Sequence, residues 1–179
     1  MISVEDRNEL LRIARRSIES SMGGVSFTPP LPASGPLGEP RGAFVTLTRN
    51  GRLRGCIGRI SASGPLARVV SEMAVAAARD DDRFPPVTKE EVGELHIEIS
   101  ALTPLRPITG PAEIEVGRHG LLIRKGHMSG LLLPQVAAEE GWDVPTFLDH
   151  TCRKAGLPAG AWKEGAEIEI FEAEVWGEE

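Results

Sequence analysis

The sequence predicts an α+β protein built on a mainly antiparallel sheet flanked by helices. Helix-like and strand-like stretches are interspersed without the regular βαβ cadence of a parallel sheet and without an internal repeat. In addition, Asn50-Gly51 separates two alternating runs, and this dipeptide is the strongest short hairpin signal because both positions tolerate positive φ. At 179 residues, 41% hydrophobic and 26% charged, the chain has the composition of one globular domain. We divide residues 1–179 into an N-terminal helix (1–24), a Pro-rich arm (25–41) and a main body (42–179).

Tyr is absent and aromatics are 4%, so the core must be mostly aliphatic, and a binder that stacks bases on exposed rings is disfavoured. The net charge of −6 argues against a protein that coats nucleic acid. Arg49, Arg52, Arg54 and Arg59 nevertheless cluster in one stretch, which suits an anionic small molecule or one phosphate of a larger ligand. Two cysteines make no disulfide framework, and the sequence shows neither a signal-peptide core nor an apolar run long enough for a bilayer. The expectation is a reduced, cytoplasmic protein with no membrane partner.

The elements follow in chain order. Ser3 with Asp6 approximates a capping box, Leu10, Leu11, Ala14 and Ile18 form a helical stripe, and Gly23-Gly24 ends it. Residues 25–41 hold five prolines and read as an extended arm in which Val25, Phe27 and Leu31 can be buried. The hairpin follows, and in its second strand Leu53, Gly55 and Ile57 point to one face and Arg54, Cys56 and Gly58 to the other. Ser63 and Pro65 open a helix with a stripe of Leu66, Val69, Val70, Met73 and Ala77. Thr88 and Glu91 form a capping box for a short helix. LHIEISAL alternates, with Leu95, Ile97, Ile99 and Ala101 inward. EIEVG, GLLIRK and GLLLP read as three short strands, with turns at residues 118–120 and 127–130. QVAAEEGW reads as a short helix. The next helix is capped by Asp143, started near Pro145 and stopped by Gly156, with Phe147, Leu148, Thr151, Cys152 and Ala155 as its stripe. In the last strand, AEIEIFEAEVW, the alternation slips at Ile170-Phe171, which reads as a bulge.

GAFVTL, LRGCIG, RFPP, EISAL, VGRHGL, GLLLPQVAAEEGW and FLDHTCRKAGLP occur in this order between residues 42 and 158. Together they closely resemble the AMMECR domain family, of which LRGCIG is the hallmark hexapeptide. The resemblance implies an antiparallel sheet packed by helices, with a smaller subdomain forming a cleft. It implies an enzyme acting in nucleotide or RNA-base chemistry, or a non-catalytic ligand-binding or adaptor protein acting with Memo-like and radical-SAM proteins. The motif residues fall on Arg54, Gly55, Cys56 and Gly58, and on Arg83, Phe84, Pro85 and Pro86. His150 and Cys152 match the prokaryotic branch.

Cys56 is the candidate nucleophile, because cationic neighbours favour the thiolate, the reactive form. The competing reading is a small buried hydrophobe on a packed strand. Arg54 and Arg83 are candidates to hold an anion, with Gly55 and Gly58 letting a ligand approach the backbone. For Arg83 the alternative is a salt bridge to Asp80, Asp81 or Asp82. His150 is a candidate general base lying away from its helix's apolar stripe. Cys152 reads as packing. His119, in a turn, is a weaker candidate for ligand contact. No metal-ligand spacing is present: His96 and Glu98 share a strand face, but that pair is common on ordinary surfaces.

Overall fold

The structure is a computed structural model that describes residues 1–32 and 35–179. The chain divides into two compact units, Met1–Leu102 with Glu174–Glu179, and Thr103–Ala173. Each carries one four-stranded antiparallel sheet, so the α+β expectation holds, with two sheets where the sequence suggested one main sheet.

In the first unit, α1 (Val4–Met22) starts where Ser3 accepts from the Asp6 N–H and ends at Gly23. Its stripe of Leu10, Leu11, Ala14 and Ile18 is buried. The hairpin strands β1 (Ala43–Arg49) and β2 (Arg52–Arg59) are joined at Asn50-Gly51, whose φ values of 52° and 71° fit the expected turn. β3 (Leu95–Leu102) pairs with β1, and β8 (Ala173–Gly177) completes the order β2-β1-β3-β8. α1 and α2 (Leu66–Arg79) cover one face of this sheet, burying Ala43, Val45, Leu47, Ile97, Ile99 and Ala101. β2 is an edge strand.

The Pro-rich arm buries Leu37 and half-buries Phe27 beneath the Arg16 guanidinium, whereas Val25 and Leu31 stay exposed. The arm also caps α2. Pro65 leaves that helix with no side-chain cap, and the Glu39 and Leu37 carbonyls accept from the Leu66 and Ala67 N–H groups. The helix expected at Thr88 shrinks to a 3₁₀ turn, Val92–Glu94, although Glu91 does accept from the Thr88 N–H.

The second unit is built around β5 (Gly120–Lys125), β6 (Met128–Leu132) and β7 (Glu167–Phe171), with the two-residue β4 (Arg106–Pro107) at the far edge. α3 (Pro134–Glu139) and α4 (Val144–Lys154) pack on it, and Phe147, Leu148, Cys152, Leu121 and Ile123 share one core. Asp143 accepts from the Thr146 N–H, as its capping position predicted. EIEVG is not a strand: a 3₁₀ turn at Pro111–Glu113, tied by Glu113 to Thr109 and Arg106, curls the backbone before Ile114. The β5–β6 turn is Gly126-His127, where the sequence suggested residues 127–130, so β6 already begins at Met128; Gly126 takes φ 61°. The slip at Ile170-Phe171 is a change of sheet rather than a bulge. β7 ends at Phe171, Glu172 is clasped by Thr103, and β8 continues in the other sheet.

Candidate functional site

β2 does not alternate as a plain strand. The register runs Arg49–Arg52 and Thr48–Leu53, then jumps to Leu47–Gly55, leaving Arg54 as the extra residue of a β-bulge. The jump moves Leu53 to the face away from the helices, where it is 42% exposed rather than in the core. It also places Thr46, rather than Val45, opposite Cys56. The helix-free face of the sheet therefore carries a row of Cys56, Thr46 and Glu98 across three strands, with Gly58, Phe44 and Ser100 in the row on one side.

Cys56 is half-buried and Thr46 Oγ1 donates to its Sγ at 3.3 Å. Its N–H points off the sheet edge to Asp81, which accepts at 2.8 Å. Asp81 is 6% exposed and also receives the Arg83 Nε and Nη2, at 2.9 and 2.7 Å. The Arg83 guanidinium, aided by the Cys56 and Arg83 N–H groups, holds the Asp81 carboxyl well below the usual carboxylate range. Arg83 Nη2 also lies 3.4 Å from the Cys56 carbonyl, while most of the Arg83 side chain is exposed. The loop after α2 thus satisfies an edge whose backbone groups would otherwise be open.

Arg54 leaves the bulge towards the same loop. Its Nε and Nη2 donate to Glu91 at 3.1 and 3.0 Å, and its Nη1 donates to the Pro85 carbonyl at 2.9 Å. With only 13% of its side chain exposed, Arg54 spends every guanidinium nitrogen inside the protein. The Arg54 guanidinium, with the Thr88 N–H and Arg49, holds the Glu91 carboxyl down at about 2.

The two glycines make room for the protein itself. A Cβ on Gly55 would lie 2.1 Å from the Ala77 carbonyl oxygen of α2, and one on Gly58 would lie 2.0 Å from the Phe44 ring. The first unit thus brings together Cys56, Arg54, Gly55, Gly58 and Arg83 on and beside one strand.

His119 and His150 belong to the second unit. His119 is buried and its Nδ1 accepts from the Glu115 N–H at 3.0 Å, closing a turn. His150 stacks on Trp142, with ring centroids 3.9 Å apart and planes 14° from parallel. Its neighbour Asp149 accepts from the Gly160 N–H and Trp162 Nε1. Cys152 is fully buried, and burial pushes its thiol up. No group of three or more His, Cys, Asp or Glu side chains among the described residues is placed to hold a metal ion. No helix among them is long and apolar enough to cross a membrane.

Thr46 is the neighbour that sequence reasoning missed. Counting back from the Asn50-Gly51 turn without a bulge pairs Cys56 with Val45. The available signal was Gly55, since a glycine inside a strand often marks a bulge.

The AMMECR1 family model matches residues 11–176. A protein of Methanosarcina barkeri is 41% identical over 187 residues, covering 99% of this chain and 93% of its own. One from Thermococcus gammatolerans is 46% identical, covering 95% and 89%. The crystal structure of an uncharacterised protein from Pyrococcus horikoshii superposes with a TM-score of 0.84 at 45% identity, covering 95% of this chain and 90% of that one.

Proposed function

The chain belongs to the AMMECR1 family, and from that premise we propose that it is an enzyme using the Cys56 thiolate on an anionic, nucleotide-like small molecule. The observation that carries this reading is the setting of Cys56. A half-exposed nucleophile on a helix-free sheet face is held through its N–H by Asp81 and through its sulfur by Thr46. The fully buried Cys152, packed among Phe147, Leu148 and Leu121, offers its sulfur no comparable access to solvent.

The roles within the motif separate. Arg83, exposed and beside the Cys56 carbonyl, is the cation that meets the substrate's negative group. Arg54, Gly55 and Gly58 support that group indirectly, by fixing the bulge, seating α2 and accommodating Phe44. His119 and His150 are assigned no step in this reading.

The test is alkylation of the native protein with iodoacetamide, mapped by peptide mass spectrometry. Cys56 is expected to label in the folded state. Cys152 should label only on unfolding, slower by roughly 10³-fold or more, since its exposure requires an opening that costs several kcal/mol. A Cys56 that stays unmodified until the chain unfolds would remove the nucleophile. It would leave the non-catalytic alternative, a binding protein working with Memo-like and radical-SAM partners.

A further inference from the structure

Thr46 lies directly across the strand pair from Cys56. The Cys56 N–H goes to Asp81 and its carbonyl faces Arg83, so both backbone groups point away from β1. Thr46 and Cys56 are therefore a non-hydrogen-bonded antiparallel pair, the geometry that brings opposing side chains closest, with Cα atoms about 4.5 Å apart. The Thr46 hydroxyl uses that proximity to donate to Sγ at 3.3 Å. β1 is flanked by β2 and β3, and a β-branched side chain is stiff at χ1, so the hydroxyl is held in place.

Resting on the thiolate reading of Cys56, we propose that Thr46 is a positioning residue: it fixes the rotamer of the Cys56 sulfur and stabilises its ionised form. The charged groups nearby leave that task to a neutral donor. Asp81 and Arg83 are paired with each other, and Arg54 is paired with Glu91. Glu98, opposite Thr46 on β3, carries a charge that opposes a thiolate, and His96 stands one step further along the same strand face. Bulge and donor belong together, because if Arg54 were paired in the ladder instead of bulged out of it, the partner of Cys56 would be Val45, which has no hydroxyl.

Thr46→Val keeps the shape and removes the donor. A hydrogen bond to an ionised acceptor supports roughly a tenfold larger thiolate fraction. The same stabilisation lowers the reactivity of each thiolate by about threefold, at a Brønsted coefficient of about 0.4–0.5. Iodoacetamide alkylation of Cys56 in Thr46→Val should therefore be about threefold slower near neutral pH. At alkaline pH, where both proteins are fully ionised, it should be about threefold faster, so the two pH–rate curves cross. Thr46→Ser, which keeps the hydroxyl and loses the methyl, should restore the wild-type curve. A purely packing role for Thr46 would move the curve in one direction at every pH and would not be rescued by serine. That result, or coincident curves for Thr46→Val and wild type, overturns the proposal while leaving Cys56 as nucleophile. An inert Cys56 in the wild-type protein overturns both.

Discussion

The edge hairpins of the two units use the same packing device for different ends. β2 and β6 each form an edge of their sheet and are each joined to their partner by a two-residue turn. Each carries one glycine against the C-terminal end of a helix. A Cβ on Gly55 would meet the Ala77 carbonyl oxygen at 2.1 Å, and one on Gly130 would meet the Ala155 nitrogen at 2.3 Å. Beyond that the strands diverge. β6 continues as Leu131-Leu132, whereas β2 carries a bulged arginine, a cysteine with polar partners and a loop tied along its edge. The glycines are therefore no sign of a site, since an aliphatic strand has the same contact. What distinguishes the first hairpin is the polar set around Cys56 and the Asp81–Arg83 and Arg54–Glu91 pairs behind it.

The largest effects should come from the shared device. Gly55→Ala and Gly130→Ala each force a methyl onto helix backbone that cannot rotate aside, and each should destabilise its unit by ~3 kcal/mol or more in denaturant unfolding. Gly58→Ala meets an aromatic ring instead, which can turn, so its cost should be smaller, ~1–2 kcal/mol. If Gly55→Ala is tolerated like a surface change, the likeness between the hairpins fails.

The next effect belongs to the first hairpin alone. Arg54→Met removes the guanidinium that Glu91 and the Pro85 carbonyl share, and should cost ~2–3 kcal/mol near neutral pH. The pH dependence has a definite sign. The folded-state value of Glu91, about 2, is depressed from 4.5, so its contribution is present above pH 4.5 and is lost as pH falls through about 2. Acid titration of unfolding stability should accordingly show a shallower loss over that window in Arg54→Met than in wild type. Parallel acid profiles would mean that the pair does not brace the bulge.

The local signals in the sequence were read well where the deciding atoms lie within a turn of one another. Ser3 and Asp143 act on N–H groups three residues away and Asn50-Gly51 through their own φ angles, and each stands as its chemistry requires. The failures came where one residue of phase has two explanations. At Phe171 the slip marks passage into another sheet, and in β2 a real bulge went unseen, because a bulge, a bend and a sheet change leave the same trace in alternation. EIEVG alternates as a strand should, yet Glu113 folds back on Thr109 and Arg106, contacts that alternation does not encode. Around the candidate site, the residue types at Cys56, Arg54 and Arg83 were legible. Their partners were not: which carboxylate takes which guanidinium depends on where the 80–91 loop lies along the edge of β2.

The smallest effect probes the other end of the helix that Gly130 seats. Asp143 caps α4 by accepting from the Thr146 N–H, and burial of Phe147, Leu148 and Cys152 holds the rest of the helix. Asp143→Ala should cost ~1 kcal/mol, the usual worth of an N-cap. The loss should be local, because the last turn of α4 is fixed by Gly130 and by Leu157 donating to the Cys152 carbonyl, neither of which depends on the cap. Amide exchange should quicken at Thr146 and in the first turn, while Cys152 stays as slow to alkylate as in wild type. If removing the cap instead exposes Cys152, the seat at Gly130 does not anchor the helix by itself, and the contact shared by the two hairpins is weaker in the second unit than its geometry indicates.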